Sequence, residues 1–264
     1  MSQQQRLNAL LELLTLRGSV SIQEIVDELT VSAATARRDL NSLAEQRLVT
    51  RTHGGGMALG SGYELPLQYK IPRNAEAKAA IAATVAGMVK LGDVIGLNGG
   101  TTMSEVSRAL GRSEHLIAQG GDTGVTIVTN ALNIAFELSI RPHVKIVVVG
   151  GVARRQSYEL VGPLVGNMLD NVTLDLAIIG VDGLGAEFGA TTVHESEAKV
   201  SRQLASVAKR LIVAADASKL GKSTFARICP LESIDTLVTN APVDDDLARA
   251  LDRASVQVVV ADKP

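Results

Sequence analysis

A short segment, residues 31–40, carries side chains of the kinds that read a DNA groove. Ser32 is a good N-cap for a helix, because its hydroxyl can accept a hydrogen bond from an unpaired amide of the first turn. Apolar residues then recur at helical spacing, which leaves small polar and basic groups on another face near the positive end of the helix. In a helix-turn-helix such groups contact the major groove; the alternative is a solvated face with two ordinary arginines. The side chains predicted to bind DNA are Ser32, Thr35, Arg37, Arg38 and Asn41.

A second candidate site begins where a predicted strand, Val94–Leu97, runs into Asn98-Gly99-Gly100-Thr101-Thr102. The two glycines let the backbone come close to a ligand, and the start of the following helix offers unpaired amides with a partial positive charge. Threonine hydroxyls add donors, so the segment suits a phosphate or another anion. The alternative is a turn in which a threonine caps its helix.

Polar residues also follow the other predicted strands of this region. The carboxylates of Asp182 and Asp216 can accept hydrogen bonds from sugar hydroxyls, and the ammonium group of Lys219 can neutralise an anion. Each of these residues alone is also explained by a turn or a cap. Because ligands of open α/β sheets bind beyond the carboxyl ends of the strands, their joint placement predicts one site for phosphate, hydroxyls and a carbonyl group. The strand-end segments are Thr129-Asn130, Gly150-Gly151, Gly180–Gly183 and Asp216–Lys219.

The elements around the first site are predicted to form a winged helix-turn-helix over residues 1–56. Gly54-Gly55-Gly56 is expected to supply the positive φ angles of a tight hairpin. Arg51 and His53 then lie on the wing and are predicted to contact a phosphate backbone or a minor groove. The predicted elements are helices at Gln3–Arg17, at Ile22–Leu29 and after Ser32, and strands at Leu48–His53 and Met57–Leu59.

From residue 75 onward, helical and short apolar patterns alternate, which predicts an open, mostly parallel α/β sheet in a domain spanning residues 75–264. Residues 57–74 are predicted to be an ordered connector, whose apolar strip of Tyr63, Leu65, Leu67 and Tyr69 can rest on that second domain. The predicted helices are Ala77–Val89, Ser104–Leu110, Ala131–Leu138, Pro163–Leu169, Glu195–Ala208 and Asp244–Arg253, and the strands are Val94–Leu97, Thr126–Thr129, Lys145–Val149, Leu174–Ile179, Leu211–Ala214, Asp235–Val238 and Val256–Val260.

The charge of the chain limits the kind of DNA binder it can be. Within residues 1–56 the arginines and the acidic residues balance, and the whole chain has a net charge of −2. The chain therefore lacks the strongly basic surface of a non-specific nucleic-acid binder. Modest background affinity requires two or more DNA-binding domains to act together, which predicts a homo-oligomer, at least a dimer.

The remaining composition points to a cytoplasmic protein. No apolar run reaches the length of a membrane span, and the N-terminus lacks a secretory apolar region. Cys229 is the only cysteine and is expected to be a small core residue. Neither a metal site nor a cofactor is predicted.

These motifs together resemble the DeoR family of bacterial transcriptional regulators. The resemblance implies a sensor domain with a fold similar to ribose-5-phosphate isomerase, in which Gly100, Thr101 and Thr102 form the phosphate loop and Asp182, Glu197 and Lys219 a polar wall. The chain departs from the family at Ala36, where Ile or Val is usual, at Asn98 and Asn240, where acidic residues are common, and at Ser201, where Lys is common. The matching segments are Val31-Ser32, Thr35, Arg37–Leu40, Leu43, Arg51–Gly55, Lys78–Ala82 and Asp216–Lys219.

Two hypotheses follow. The first is a transcriptional repressor of carbohydrate-metabolism genes, without enzymatic activity, that binds double-stranded operator DNA and is controlled by a phosphorylated sugar. The second is an active sugar-phosphate isomerase fused to a DNA-binding domain, because Asp182, Glu197 and Lys199 or Lys219 have suitable acid–base chemistry. The resemblance favours the first, since a fold shared with an enzyme does not confer its activity. The predicted effector-binding residues are Asn98, Gly99, Gly100, Thr101, Thr102, Thr129, Asn130, Gly151, Asp182, Glu197 and Lys219.

Overall fold

A computed structural model describes residues 1–59, 66–70, 74–118 and 123–262. The chain forms two compact units, residues 1–72 and residues 73–264. The predicted combination of an N-terminal winged helix-turn-helix with a larger parallel α/β domain is confirmed. Among the described residues, no helix is both long and apolar enough to cross a membrane.

The N-terminal unit packs three helices against a small antiparallel sheet. Helix α1 begins with a capping box at Ser2 and ends at Gly18, whose φ of 76° stops the helix. Leu10, Ile25 and Leu40 come from the three helices and are fully buried in one core. The sheet has the strand order β1-β3-β2. The elements are α1 Gln3–Arg17, β1 Ser19–Ser21, α2 Ile22–Leu29, α3 Ala33–Glu45, β2 Val49–Arg51, β3 Gly55–Ala58 and α4 Leu67–Lys70.

The glycine run of the wing has a different role from the one predicted. Gly55 and Gly56 belong to β3, and neither they nor Gly54 has a positive φ. A Cβ on Gly55 would lie 1.9 Å from the carbonyl oxygen of Val20, and one on Gly56 would lie 2.6 Å from the side chain of Leu40. The glycines are therefore needed for close strand and helix packing, and the prediction of a positive-φ turn is wrong.

The connector also differs from the prediction. Tyr69 is buried in the core of the N-terminal unit. Its hydroxyl donates a hydrogen bond of 2.6 Å to Oε1 of Gln46, the C-cap residue of α3. At this position the apolar strip packs on the first domain, which corrects the expectation that it rests on the second. Tyr63 and Leu65 of the predicted strip lie outside the described residues.

The larger unit is built on a seven-stranded parallel sheet, counted over the described residues, with the order β15-β14-β12-β9-β4-β5-β6. Its central strands are buried runs of Val, Ile, Leu and Ala, as expected for a sheet covered by helices on both faces. The elements are α5 Ala75–Gly87, β4 Val94–Leu97, α6 Thr101–Arg112, β5 Val125–Thr129, α7 Leu132–Leu138, β6 Val144–Val148, β7 Val152–Ala153, β8 Leu160–Val161, α8 Gly166–Leu169, β9 Leu176–Gly180, β10 Gly183–Gly185, β11 Gly189–Thr192, α9 Glu195–Ser206, β12 Leu211–Ala214, β13 Ala226–Cys229, β14 Thr236–Thr239, α10 Asp245–Arg253 and β15 Gln257–Val260.

The strand order reverses at one place, between β4 and β9. The chain builds outward from β4 through β5 and β6, then returns to pair β9 on the other side of β4 and continues outward through β12. Loops leaving β4 and β9 at their carboxyl ends therefore separate and open a crevice, which is the usual ligand position in such sheets.

Three features of this unit were not predicted from the sequence. A hairpin, β7–β8, lies between β6 and the next helix, and β10, β11 and β13 form a separate antiparallel sheet. The predicted helix Pro163–Leu169 is instead a 3₁₀ turn at Pro163–Val165 followed by the short α8. The two-residue strands of β7–β8 are too short for an alternating pattern to reveal them.

Candidate DNA-binding and effector-binding sites

Helix α3 begins with a local hydrogen-bond network that fixes its first turn. Ser32 Oγ accepts from the Thr35 amide at 3.2 Å, and the two hydroxyls are 2.9 Å apart. Ser32 is thus the N-cap that its sequence position indicates. Because each hydroxyl already has a partner, these two side chains orient the helix start as well as being candidates for DNA contact.

The basic residues of α3 are presented to solvent. Arg37, Arg38 and Asn41 are exposed, and within the described part of the chain their side chains form no hydrogen bond or ion pair. All donors of both guanidinium groups are therefore available to a phosphate or a base edge. Such planar donors suit bidentate contacts with guanine.

The acidic residue next to these arginines, Asp39, forms an ion pair within the domain. Asp39 is 1% exposed and is bound by Arg6 Nε at 2.8 Å and by Arg6 Nη2 at 3.2 Å. This hydrogen bond raises the pKa of Arg6. The ion pair joins α3 to α1 and neutralises the carboxylate beside Arg37 and Arg38, a role that sequence spacing alone did not reveal.

The wing carries the two remaining predicted DNA contacts. Arg51 is on β2, and its Nη1 donates a hydrogen bond of 3.0 Å to the carbonyl of Gly55 across the hairpin. His53 is exposed in the turn between β2 and β3. Arg51 thus stabilises the wing, and its other donors form no hydrogen bond with any described residue.

The predicted phosphate loop lies at the carboxyl end of β4, beside the reversal of strand order. Gly100 has a φ of 103° and caps α6, and its carbonyl accepts from both the amide and the hydroxyl of Ser104 at 3.0 Å. Thr101 and Thr102 are half-buried, and their hydroxyls have no hydrogen-bond partner among the residues that the structure describes. The helix start therefore offers backbone amides together with two available hydroxyls.

Asn98 is held by the protein rather than left free. Its Oδ1 accepts from the Gly180 amide at 2.9 Å, and its Nδ2 donates to the Gly180 carbonyl and to Ser201 Oγ, both at 3.0 Å. The side chain joins β4, β9 and α9 across the crevice floor. Asn98 and Ser201, two of the positions at which the sequence resemblance is incomplete, are thus in direct contact and form a neutral pair.

The end of β5 provides one residue that caps the following turn and one that binds the β7–β8 hairpin. Thr129 is fully buried, and its Oγ1 accepts a hydrogen bond from the Ala131 amide at 3.1 Å. Its side chain therefore caps the turn, which is the alternative to ligand binding given in the sequence analysis. Asn130 Nδ2 donates to Glu159 Oε2 at 3.0 Å and to the Leu160 carbonyl at 3.1 Å. Asn130 Oδ1 is buried and has no partner among the described residues.

Asp182 and Lys219 form one wall as an ion pair. Lys219 Nζ is 3.3 Å from Asp182 Oδ1, and the hydroxyl of Thr192 donates to Asp182 Oδ2 at 2.9 Å. The two charged side chains are about one-third exposed, so a ligand can reach them. Asp216, by contrast, is 2% exposed and accepts from Ser218 and from Asn74, which makes it a local cap.

A second wall contains residues that the sequence analysis did not identify. Arg154, directly after β7, donates from Nη1 to Glu197 Oε1 at 3.0 Å and from Nη2 to His194 Nε2. Glu159, directly before β8, lies against Gly99, where an added Cβ would be 2.4 Å from the Glu159 Cγ. The hairpin brings Glu159 to the loop and Arg154 to the start of α9. Gly151, with a φ of 144°, approaches Val161 too closely for a side chain and so serves this hairpin.

The carboxyl group of Glu159 has an unusual environment. Burial raises the pKa of Glu159 to about 8, and the negative charges of Glu197 and Asp182 act in the same direction. Hydrogen bonds from Asn130 and from the Gly99 amide oppose this shift but do not cancel it. Glu159 is therefore mostly protonated near neutral pH.

Comparison with known families matches both units of the chain. Residues 6–60 match the model of the DeoR-like helix-turn-helix domain, and residues 73–241 match that of the DeoR C terminal sensor domain. The matches together cover helix α3, the wing and all the predicted effector-binding residues.

Several curated proteins are similar over nearly their whole length. The chain is 32% identical to the HTH-type transcriptional regulator GlpR of Haloferax volcanii, over 97% of this chain and 96% of that protein. It is 32% identical to the HTH-type transcriptional repressor GlcR of Bacillus subtilis, over 100% and 98%, respectively. It is 29% identical to the glycerol-3-phosphate regulon repressor of Escherichia coli, over 98% and 99%.

Solved structures give weaker similarities. Ribose 5-phosphate isomerase A from Neisseria gonorrhoeae has a TM-score of 0.40 and 19% identity, covering 55% of this chain and 53% of that one. The enzyme from Methanocaldococcus jannaschii has a TM-score of 0.38 and 22% identity, covering 56% and 55%. At these scores the similarities carry no conclusion about activity.

Proposed function

This chain belongs to the DeoR family of transcriptional regulators, and from that premise we propose that it is a sequence-specific repressor of carbohydrate-metabolism genes whose binding to operator DNA is controlled by a phosphorylated sugar. A cytoplasmic location, where operator DNA is accessible, is part of this proposal. The observation that carries the DNA-binding role is the pair of exposed arginines on α3, which form no ion pair with any described residue and whose neighbouring carboxylate is neutralised within the domain.

The contacts to DNA are proposed residue by residue. Arg37 and Arg38 reach base edges or phosphates, and Asn41 follows them one turn along the same helix. Ser32 and Thr35 meet a phosphate at the helix start, where the helix dipole favours an anion. Arg51 and His53 on the wing approach the adjacent backbone.

The effector is proposed to bind at the carboxyl ends of β4 and β9. Its phosphate lies against Gly99–Thr102, and its sugar hydroxyls face Asp182, Lys219 and Glu197. The available threonine hydroxyls and the partly exposed Asp182–Lys219 pair support this placement. One relative is named as a glycerol-3-phosphate regulon repressor, which is consistent with a phosphorylated effector.

Oligomerisation is the third part of the proposal. A formally neutral DNA-binding domain gains operator affinity when two copies bind repeated half-sites, because the second contact becomes intramolecular. We therefore propose at least a dimer on the operator. Light scattering that showed a monomer, both free and on operator DNA, would contradict this part.

The isomerase alternative is not favoured, because the similar curated proteins are named as transcriptional regulators. The deciding experiment has two measurements on the purified full-length chain. Thermal stabilisation by a panel of phosphorylated sugars identifies the effector, since a ligand that binds only the native state raises the melting temperature. Incubation with the same panel then tests turnover, and ketose–aldose conversion at enzymatic rates would overturn the choice.

A further inference from the structure

The β7–β8 hairpin places one carboxyl group directly against the candidate phosphate loop. Glu159 is 4% exposed, and its Cγ, Cδ and Oε1 lie 2.4, 2.6 and 2.8 Å from the position of a Cβ on Gly99. Only glycine leaves room for the carboxyl group at this point. The amide of Gly99 is hydrogen-bonded to it, and Asn130 binds Oε2. Glu159 is therefore part of the wall next to the proposed anion.

This carboxyl group differs from its acidic neighbours in having no cation of its own. Glu197 is paired with Arg154, and Asp182 is paired with Lys219. Among the described residues Glu159 forms no ion pair, and it is the most enclosed of the three. Its charged form is consequently the least favourable, which agrees with the raised pKa of its carboxyl group.

A second observation points to a ligand at the same place. Asn130 uses both amide protons on Glu159 and Leu160, yet its Oδ1 is buried and lacks a donor within the described residues. A buried acceptor without a hydrogen-bond donor destabilises the folded protein. A hydroxyl group of a bound sugar phosphate would satisfy it, and that hydroxyl would then lie beside Glu159.

We propose that Glu159 is a further effector-contacting residue of this cleft, which in its protonated form donates a hydrogen bond to the bound anion and thereby couples effector binding to proton uptake. This inference rests on the proposed function. A phosphate dianion next to a carboxylate would be repelled, whereas a carboxylic acid offers it a donor. The proton comes from solvent when Glu159 is ionised before binding.

The sign of the pH dependence follows from this coupling. Below about pH 8 the free protein already carries the proton, and the anion binds without further cost. Above that value an increasing fraction of the protein must first take up a proton, so the affinity falls as the pH rises. The charged or titratable groups around Glu159, on its own hairpin and on the elements packed near it, are Arg154, His194, Glu197, Asp182 and Lys219.

Sulfate is the probe of choice, because it stays a dianion throughout the range and contributes no titration of its own. Calorimetric titration of the full chain at constant ionic strength is expected to show a loss of sulfate affinity of about tenfold from about pH 7 to about pH 9. Glu159→Gln keeps the size and a neutral donor, so its affinity is expected to stay constant and to exceed that of the wild type at the higher pH. Glu232→Gln, at an exposed carboxyl in the turn between β13 and β14, is the matched control and should retain the wild-type pH dependence.

The outcomes separate this inference from the proposed function. If Thr101→Ala weakens sulfate binding while Glu159→Gln keeps the wild-type pH dependence, the anion site stands and the role of Glu159 is overturned. If neither sulfate nor any phosphorylated sugar binds the wild type at any pH, the anion site itself is overturned, and Glu159 with it.

Proton uptake by the wild-type protein gives a test that does not depend on a variant folding. Sulfate titrations at about pH 8 in buffers of different ionisation enthalpy should show a net uptake of about half a proton, because Glu159 is then about half ionised before binding. An uptake of zero would overturn the coupling.

Discussion

The charged side chains of the two candidate sites are held in opposite ways. On α3, Arg37 and Arg38 are exposed and form no ion pair in the described part of the chain. In the cleft, Arg154 is already bound to Glu197 and Lys219 to Asp182. The arginines of α3 can therefore pair with an external anion, whereas the cations of the cleft are already paired within the domain.

The difference has a consequence for binding. When an exposed guanidinium binds a DNA phosphate, counterions condensed on the DNA are released. The affinity for DNA should therefore depend strongly on salt concentration. In the partly buried cleft each cation is already paired with a carboxylate, so an anionic ligand has to compete with that carboxylate. The free energy of binding then depends on how well the ligand replaces the hydrogen bonds that are lost. The cleft is therefore suited to selecting one ligand, and α3 to binding a charged polymer.

The largest expected effect comes from removing the two exposed arginines of α3. Replacing both Arg37 and Arg38 by Ala should abolish specific operator binding, since a good bidentate base contact contributes about 1–3 kcal/mol of discrimination. Thermal stabilisation by an effector sugar should be unchanged. Arg249→Ala, an exposed arginine on α10, is the control. Unchanged operator affinity of the double variant in a mobility-shift titration would remove α3 from the recognition role.

The next effect concerns the cleft. Thr101→Ala combined with Lys219→Ala should weaken effector binding and, if the effector is an inducer, leave operator binding constitutive. Coupling between such sites is typically about 1–3 kcal/mol. The measurement is operator affinity as a function of effector concentration. A response curve equal to that of the wild type would mean that the anion binds elsewhere.

A matched pair of glycine variants tests the wing without touching charge. Gly55→Ala should destabilise the N-terminal unit by about 1–3 kcal/mol, because the new Cβ would meet the Val20 carbonyl at 1.9 Å. Gly54→Ala has nothing within 4 Å and no positive φ, so a change of less than about 0.5 kcal/mol is expected. The free energies of unfolding of the two variants are measured with a chemical denaturant. Equal values for the two variants would contradict the packing role of Gly55.

The smallest effect is expected from placing opposite charges at the contacting positions 98 and 201 on the crevice floor. Ser201→Lys alone should destabilise the sensor unit, because Ser201 is 1% exposed and its neighbour Asn98 is neutral. Adding Asn98→Asp should recover about 0.5–3 kcal/mol relative to the sum of the single changes. A double-mutant cycle from denaturant unfolding measures this, and strict additivity would show that the two positions do not interact.

Part of the fold and of the candidate site was predictable from local patterns. The periodicity of α1, α2 and α3 and the apolar runs of the parallel strands indicate helix and strand types directly. Positions such as Thr101 and Asp182 could be proposed because they follow those strands, and carboxyl ends of parallel strands share one edge. The roles of Gly55, Asp39 and Tyr69 were missed, since each depends on a neighbour that is distant in sequence.

Local sequence is enough to specify the longer helices, the parallel strands, helix caps such as Ser32 and the location of the polar segments, because these depend on neighbours within a few residues. Which of those polar groups remain available to a ligand depends on the folded arrangement. Asn98 and Thr129 proved to be bound internally, Arg37 and Arg38 proved to be unpaired in the described part of the chain, and Glu159 was brought to Gly99 by an unpredicted hairpin. The reason is physical: burial, ion pairing and the pKa of a carboxyl group depend on the distance between atoms in space, which spacing along the chain does not specify.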